Sequence, residues 1–331
     1  MGPTIIDVAK RAGVSKSLVS LVMRNSPHVS EARRTAVLKA AKELGYRPNA
    51  LARGLVQGRT STIGVLLSDL HNPFFAEIVD GVEEETSISQ HKTLLGSGNR
   101  DPRRETRTLE AMLERQMDGV ILVSPSISTS EISATAESIP VVLVGRRVRN
   151  RTLDCVVNDD FAGAVLAVEH LAELGHQRIA HISGGRGAGA RSRLRGYRHA
   201  MQRLNLERHT QVAPGAYTDR GGYSGAKWLL GAEPLPTAIF ASNDFAALGA
   251  LTAISETGLS VPDDISLVGY DNTYLATLSN ISLSSVNQPR REMGALATRL
   301  LLERIDLKRT EPHCEIVKPR FIPRSTSSPL C

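Results

Sequence analysis

The sequence predicts two folds in one chain: an all-α helix-turn-helix head, followed by a doubly wound α/β domain of two lobes. Apolar residues recur at helical spacing in the first 60 residues, whereas short apolar runs alternate with helical stretches from Thr62 onward. Charge divides at the same point, because residues 1–61 carry eleven Lys and Arg against three Asp and Glu, and the rest carry 29 against 31. The length of 331 residues also favours more than one core.

Two short helices joined by a tight turn are predicted between Ile5 and Arg24. Thr4 and Ser15 stand where each can cap a helix N-terminus, and Gly13 can adopt the left-handed conformation of the turn. The apolar positions of the pair are Ile5, Val8, Ala9, Val14, Val19 and Val22. With the net positive charge, this pattern predicts a surface that binds nucleic-acid phosphates. The alternative, a solvated basic tail, does not explain the helical spacing.

A third helix is predicted from Ser30 to Leu44, with Gly45 ending it. Asn49 can then cap a segment of about eight residues, too short to be stable alone in water. We expect that segment to fold when DNA and a second subunit supply packing. The predicted domains are therefore residues 1–48 for the helix-turn-helix, 49–61 for a hinge helix and linker, and 62–331 for an effector-binding and dimerisation domain.

The α/β part shows apolar runs typical of parallel strands covered on both faces. The predicted strands are Ile63–Ser68, Val120–Val123, Val141–Val144, Arg178–Ile182, Ala238–Ala241 and Leu267–Tyr270. The predicted helices between them are Phe75–Thr86, Glu105–Arg115, Gly163–Leu174, Gly222–Leu230 and Phe245–Thr257. A change in composition near Asn158–Gly163 predicts the boundary between the two lobes.

Polar and aromatic residues cluster after these strands, where doubly wound sheets bind ligands. They are Asn72, Phe74, Phe75, Arg146, Arg193, Tyr217, Asn243, Asp271 and Gln288. Aromatic faces combined with hydrogen-bonding side chains suit a polyhydroxylated ligand such as a sugar. Asn243 and Asp271 have an ordinary alternative role, since either can cap the helix or turn that follows.

Other functions have weaker signals. Gly185-x-Gly187-x-x-Ala190 formally matches a dinucleotide-binding loop, but a flexible cleft loop explains its glycines equally well. No catalytic constellation is evident, so we predict no enzyme, and neither a cofactor nor a metal site is predicted. No apolar run approaches the ~18–20 residues of a membrane span, and no signal region is apparent, which disfavours an exported solute-binding protein. The three scattered cysteines favour a reducing, cytoplasmic location.

Two runs carry a resemblance to a known family. TIIDVAKRAGVSKSLVSLVMRN and VSEARRTAVLKAAKELGYRPNALARGL resemble the lactose/galactose-repressor family of bacterial transcription regulators, and the resemblance covers nearly the whole chain. It implies a cytoplasmic, nucleoid-associated homodimeric repressor that binds palindromic double-stranded operator DNA, with the second helix in the major groove. The absence of a leucine heptad after PRFIPRSTS favours a dimer over a tetramer.

The resemblance also implies which residues contact DNA. They are Thr4, Ser15, Lys16, Ser17, Ser20, Leu21, Asn25, Asn49, Ala52, Arg53 and Leu55. Lys16 and Ser17 are expected to contact base edges. Leu21 occupies a position where many relatives carry a polar residue that contacts a base, and its apolar side chain can only touch a thymine methyl group or pack against other apolar groups. Leu55 matches an apolar wedge that unstacks one base step in the minor groove, and simple packing between two hinge segments is its alternative role.

The α/β domain resembles periplasmic pentose-binding proteins, whose cleft residues correspond to the nine post-strand residues named above. Gly145 departs from that pattern, because the pentose binders carry an Asp there, so the exact sugar stays open. Gly187 and Gly189 replace the Arg and Thr of purine-sensing relatives, which disfavours a purine. The operator, the effector and whether it acts as inducer or corepressor stay open at this point.

Overall fold

The structure, a computed structural model, describes residues 2–23, 26–46, 59–148 and 153–330. The chain forms two compact units, the head Met1–Thr60 and the large unit Ser61–Cys331. The predictions for Asn25, Asn49, Ala52, Arg53 and Leu55 concern positions outside the described residues.

Three helices form the described part of the head: α1 Ile5–Ala12, α2 Lys16–Met23 and α3 Glu31–Glu43. Thr4 caps α1 in a capping box with Asp7, whose carboxylate accepts the Thr4 backbone N–H at 2.8 Å. Gly13 ends α1 with a φ of +66°, and Ser15 Oγ accepts the backbone N–H of Leu18 at 3.2 Å to cap α2. The two predicted caps and the turn glycine are thus confirmed.

The head has its own small core. Its buried apolar residues are Val8, Ala9, Val19, Val22, Val29, Val37, Ala40 and Ala41. The Arg11 guanidinium meets the Glu43 carboxylate at 2.8 Å and ties α1 to α3. The head therefore has the interior expected of a separate folding unit.

The large unit contains two six-stranded sheets, which define lobe 1 and lobe 2. The strands of lobe 1 are β1 Thr62–Leu67, β2 Lys92–Ser97, β3 Gly119–Val123, β4 Val141–Val144, β5 Asp154–Asn158 and β11 Cys314–Val317. The strands of lobe 2 are β6 Ile179–Ile182, β7 Gln211–Ala213, β8 Ala238–Ala241, β9 Ser266–Asp271, β10 Ser284–Asn287 and β12 Arg320–Ile322. Their orders are β11-β5-β4-β3-β1-β2 and β12-β10-β9-β8-β6-β7, and β12 is antiparallel to its neighbour.

Helices cover the sheets, as in other doubly wound folds. Those of lobe 1 are α4 Phe74–Ile88, α5 Pro102–Glu114, α6 Thr129–Ser138 and α12 Arg290–Ile305. Those of lobe 2 are α7 Asp160–Glu173, α8 Ala190–Arg203, α9 Asp219–Leu230, α10 Asp244–Ser255 and α11 Tyr274–Thr277. The fold class predicted from the sequence is confirmed, and each of the six predicted strands is found within one residue of its predicted ends.

The chain crosses between the lobes three times: from β5 to α7, from β10 to α12, and from β11 to β12. The first crossover coincides with the composition change near Asn158. The second returns the chain to lobe 1, where Met293, Ala297 and Leu301 of α12 enter the core with Ile78 of α4. Three connections between two lobes are the architecture in which hinge closure around a ligand is known.

Two of the three cysteines, although far apart in the sequence, lie next to each other in the fold. Cys155 on β5 and Cys314 on β11 are register partners on adjacent parallel strands and form a disulfide. They lie 159 residues apart in the sequence, so their spacing gives no sign of the pairing. Strand order within the sheet brings them together.

Candidate functional site

Helix α2 presents the predicted base-reading residues on its outer face. Lys16, Ser17 and Leu21 are exposed and Ser20 is partly buried, while Val19 and Val22 on the opposite face enter the head core. Leu21 is 41% exposed, so its apolar side chain lies on the same outer face as Lys16 and Ser17. The Thr4 and Ser15 side chains serve as caps and fix the starts of the two helices.

A buried arginine lies at the centre of the lobe 2 cluster. Arg193 on α8 donates from Nε to Asp160 Oδ1 at 3.0 Å and from Nη1 to the carbonyl oxygen of Ser242 at 2.6 Å. Its Nη1 also lies 3.7 Å from Asp271 Oδ1. The guanidinium carbon stands 3.6 Å from the Tyr270 ring centroid and 5.1 Å from that of Tyr217. Two carboxylates and two aromatic faces thus compensate the buried positive charge.

Asp271 lies at the end of β9 in strained backbone, with a φ of +102°. Gln288 donates from Nε2 to Asp271 Oδ1 at 2.6 Å. Burial raises the pKa of Asp271 to about 7, although the Arg193 charge opposes this. Strained residues and carboxyl groups with raised pKa values concentrate at functional sites, so this one is a strong candidate for a ligand contact.

Asn243 takes the ordinary alternative role. Its Oδ1 accepts the backbone N–H of Ala246 at 2.9 Å and caps α10. The next residue, Asp244, is buried and accepts hydrogen bonds from the Thr273 backbone N–H at 2.6 Å and from Ser285 Oγ at 2.6 Å. Burial raises the pKa of Asp244 to about 6. The Asn243 side chain therefore fixes the start of α10 beside the arginine cluster.

The Tyr217 ring explains why glycines occupy the loop between β6 and α8. A Cβ on Gly184 or Gly187 would lie 2.4 Å from atoms of the Tyr217 ring, and the Tyr217 hydroxyl donates to the carbonyl oxygen of Ala188 at 2.8 Å. A Cβ on Gly189 would lie 2.1 Å from Asp160 Oδ2, so a carboxylate already occupies the N-terminal end of α8. A dinucleotide pyrophosphate would be repelled there.

In lobe 1, Asn72 and the two phenylalanines shape the start of α4. Asn72 Oδ1 accepts the backbone N–H of Phe74 at 3.0 Å. The Phe74 and Phe75 rings meet edge to face at 5.2 Å and are buried in the lobe 1 core. Their rings do not present a broad exposed face in this arrangement of the lobes.

Arg146 follows β4 at the carboxyl edge of the lobe 1 sheet. Its Nη1 donates to the carbonyl oxygens of Pro125 at 3.0 Å and Ile127 at 2.5 Å, and its Nη2 donates to Thr129 Oγ1 at 3.1 Å. The loop between β3 and α6 thus orients this guanidinium. The structure therefore brings Arg193, Tyr217, Asp271 and Gln288 into one cluster in lobe 2, with Arg146 held separately by lobe 1.

Polar contacts between described residues join the lobes, and the sequence did not single these contacts out. Arg100 Nη1 reaches the Tyr217 carbonyl oxygen at 3.5 Å. Arg290 Nη2 donates to the Asn272 carbonyl oxygen of lobe 2 at 2.8 Å, and within lobe 1 it also donates to both Glu77 carboxylate oxygens at 2.8 Å. Asn158 Nδ2 lies 2.8 Å from the Tyr270 hydroxyl. Such contacts hold one lobe arrangement and must rearrange if the lobes move.

Asp160 is the main site residue that sequence reasoning missed. It begins α7 directly after the first crossover, and its carboxylate holds Arg193. Its position immediately after the predicted lobe boundary is the one sequence signal that could have drawn attention to it. Within the described ranges, no group of three His, Cys, Asp or Glu side chains could hold a metal ion, and no helix is long and apolar enough to cross a membrane.

Two family descriptions match the chain. Residues 4–49 match bacterial regulatory proteins of the lacI family, and residues 168–327 match a periplasmic binding protein-like domain. Among relatives, catabolite control protein A of Priestia megaterium is 35% identical over 305 residues, covering 91% of this chain and 92% of that protein. The HTH-type transcriptional repressor PurR of Klebsiella pneumoniae (strain 342) is 36% identical over 328 residues, covering 97% and 96%.

Solved structures agree along almost the full length. The lac repressor dimer bound to operator and the anti-inducer ONPF has a TM-score of 0.86 at 26% identity, covering 99% of this chain and 100% of that one. The complex of the transcriptional regulator CelR with cellobiose has a TM-score of 0.74 at 32% identity, covering 98% and 99%. These relatives are transcriptional regulators and not enzymes, which confirms the prediction from the sequence that the chain is not an enzyme.

Proposed function

The chain belongs to the LacI family of bacterial regulatory proteins, and we propose that it is a repressor whose operator affinity is set by a sugar or sugar derivative bound between its lobes. The observation that carries this proposal is the Arg193, Asp271 and Gln288 cluster at the carboxyl ends of the lobe 2 strands, facing a second lobe across a hinge. Ligands of two-lobed α/β domains bind at such edges.

The proposed DNA contacts begin with α2. Lys16 and Ser17 on its exposed face are suited to base edges in the major groove, where a lysine favours guanine. We propose residues 49–61 as the hinge helix and linker, with Arg53 at the phosphates and Leu55 as the minor-groove wedge. A homodimer places two such heads on the two halves of a palindrome.

The proposed effector contacts are hydrogen bonds to hydroxyl groups. Arg193, Asp271 and Gln288 offer adjacent donors and acceptors from lobe 2, and Arg146 offers donors from lobe 1. A similar regulator is described with cellobiose, and a LacI-family regulator from Enterococcus faecium with ribose. A ligand gripped from both sides favours the closed arrangement of the lobes.

Effector binding is proposed to change DNA affinity through the connection between the hinge and lobe 1. Strand β1 begins at Thr62, directly after the proposed hinge, so the lobe arrangement governs where each hinge leaves lobe 1. In a dimer the spacing of two hinges then depends on lobe closure. A ligand with unequal affinity for the two arrangements must shift the affinity for DNA.

Selection from random duplexes tests the proposal. The full-length protein should enrich a near-palindromic sequence, and its affinity for that sequence should fall steeply with salt because phosphate counterions are released. An equal mixture of unrelated duplexes after several rounds would contradict sequence-specific binding.

A further inference from the structure

The disulfide between Cys155 and Cys314 joins two neighbouring strands of lobe 1, with Cα atoms 4.4 Å apart. It lies in an apolar cluster with Ile132, Leu143 and Leu153. Cys155 is only 3% exposed, whereas Cys314 is partly buried on the edge strand β11. Cys314 is therefore the more accessible residue of the pair.

The bond joins the two strands that lead into two interlobe crossovers. Strand β11 pairs with β5 alone, through the four residues Cys314–Val317. Strand β5 leads into the crossover to Asp160, and β11 leads into the crossover to Arg320. A covalent link between these strands fixes one crossover against the other, whereas the reduced pair leaves β11 held by a short ladder and by Val317 in the core.

A regulator of chromosomal genes works in the bacterial cytoplasm, and this step rests on the proposed function. Glutathione and thioredoxin keep thiols reduced there, so disulfides in such proteins are usually transient, catalytic or redox-sensing. We propose that Cys155 and Cys314 form a reversible oxidation site, a dithiol under reducing conditions and a disulfide under oxidant. Oxidation anchors β11 and its crossover to lobe 1.

Hydrogen peroxide is the oxidant class that completes the chemistry. The Cys314 thiolate attacks one peroxide oxygen, which gives a sulfenic acid and releases hydroxide. The Cys155 thiolate then attacks the Cys314 sulfur, forms the S–S bond and displaces a second hydroxide. The two hydroxides take up the two thiol protons as water, and the two electrons lost by the thiols reduce the peroxide.

A small dithiol reverses the reaction. One of its thiolates attacks the Cys314 sulfur, and Cys155 leaves and takes up a proton. The second thiol of the reductant then closes its own disulfide and releases Cys314. Thiol–disulfide exchange thus needs access to only one of the two protein sulfurs.

Thiol alkylation of the full-length protein tests the site. The native protein is treated with dithiothreitol or with peroxide, and its free thiols are then alkylated in denaturant so that the buried Cys155 is also reached. After dithiothreitol all three cysteines of the wild type should be labelled, and after peroxide the two strand cysteines should not. Peptide mapping should find Cys155 joined to Cys314. After peroxide the matched control Cys331→Ser should lose the same two labels, whereas Cys314→Ser should keep the label on Cys155. Loss of the Cys155 label in Cys314→Ser would contradict the pairing.

Hydrogen exchange tests the anchoring. Backbone amides of β11 should exchange about tenfold faster or more in the reduced form, and peroxide should not slow them in Cys314→Ser. A disulfide that dithiothreitol cannot open without denaturant, no peroxide-dependent loss of label, or equal exchange in both forms would overturn the proposal. None of these measurements uses DNA or an effector, so their failure is distinct from failure of the proposed function.

Discussion

At the scale of single residues, the site rests on a buried cation whose partners come from distant parts of the chain. The sequence placed Arg193 and Asp271 after strands, and the structure brings them within 3.7 Å. The sequence did not reveal Asp160, because an ion pair between distant parts of the chain depends on how the chain packs and not on residue spacing. Arg193→Ala would leave two buried carboxylates without their cation, so its loss destabilises lobe 2 by about 3–5 kcal/mol. Asp271→Asn is therefore the cleaner probe of ligand binding.

The pH dependence of stability should reveal His181. Its ring is fully buried and lies against Tyr197 and Phe240, and burial lowers its pKa from 6.5 to about 4. Because the unfolded chain takes up this proton at higher pH, the contribution of His181 is present above about pH 6.5 and is lost as the pH falls towards 4. At pH 5 the loss amounts to about 2 kcal/mol.

Asp271 and Asp244 change the folding stability with pH in the opposite direction to His181. Burial raises their pKa values to about 7 and about 6, so the folded state gains stability as the pH falls through that range. Comparison with His181→Phe separates the effects. Between pH 7 and pH 5, the unfolding free energy of the wild type should fall by about 2 kcal/mol relative to the variant, as measured by urea unfolding. An equal difference in unfolding free energy between the wild type and the variant at pH 7 and pH 5 would contradict the role given to His181.

At the scale of elements, apolar periodicity predicted the central strands, but the remaining strands gave weaker signals. Strand β2 is half exposed, and β10 reads Ser-Ser-Val-Asn. The two serines of β10 are buried because Ser284 Oγ donates to the Arg324 carbonyl oxygen and Ser285 Oγ to Asp244. Hydrogen-bond partners from distant segments make these residues suitable for a core strand, and no local pattern shows that. The helix caps, in contrast, depend on adjacent residues and were predictable.

The recognition helix gives a prediction about base preference. Lys16→Ala should relax the preference at one base position of each half-site by about 1–3 kcal/mol, because the lysine loses its base-edge contact. Selection from random duplexes measures this. Lys39→Ala, an exposed lysine on α3, is the control and should leave the consensus unchanged. An unchanged consensus for Lys16→Ala would remove this residue from base recognition.

The proposed hinge gives a second prediction at this scale. Leu55→Ala should weaken binding to the selected palindrome but leave non-specific binding and its salt slope nearly unchanged, because an apolar wedge contacts no phosphate. Arg53→Ala should instead lower the salt slope by about one unit. Gel shifts at several salt concentrations compare the two variants. Wild-type affinity of Leu55→Ala for the palindrome would exclude the wedge.

At the scale of the whole molecule, the division into a basic head and a two-lobed α/β unit was predictable, because charge and periodicity change at the same residues. The first crossover between the lobes was also predictable. The return of α12 to lobe 1 was not, since its apolar residues fit either lobe equally well until Met293 and Leu301 are seen in the lobe 1 core. Function at this scale depends on those crossovers, because they let two lobes share one ligand.

A ligand bound between the lobes is expected to change the affinity for DNA. Fluorescence anisotropy with the selected palindromic duplex, with and without each member of a sugar panel, tests it most directly. One sugar or sugar derivative should change wild-type affinity by 1–3 kcal/mol, roughly 5–150-fold. Asp271→Asn should bind the duplex as tightly as the sugar-free wild type but show no change with that sugar, because an amide replaces the carboxyl group that is proposed to contact the sugar. A variant that responds at the same sugar concentrations as the wild type would contradict the account.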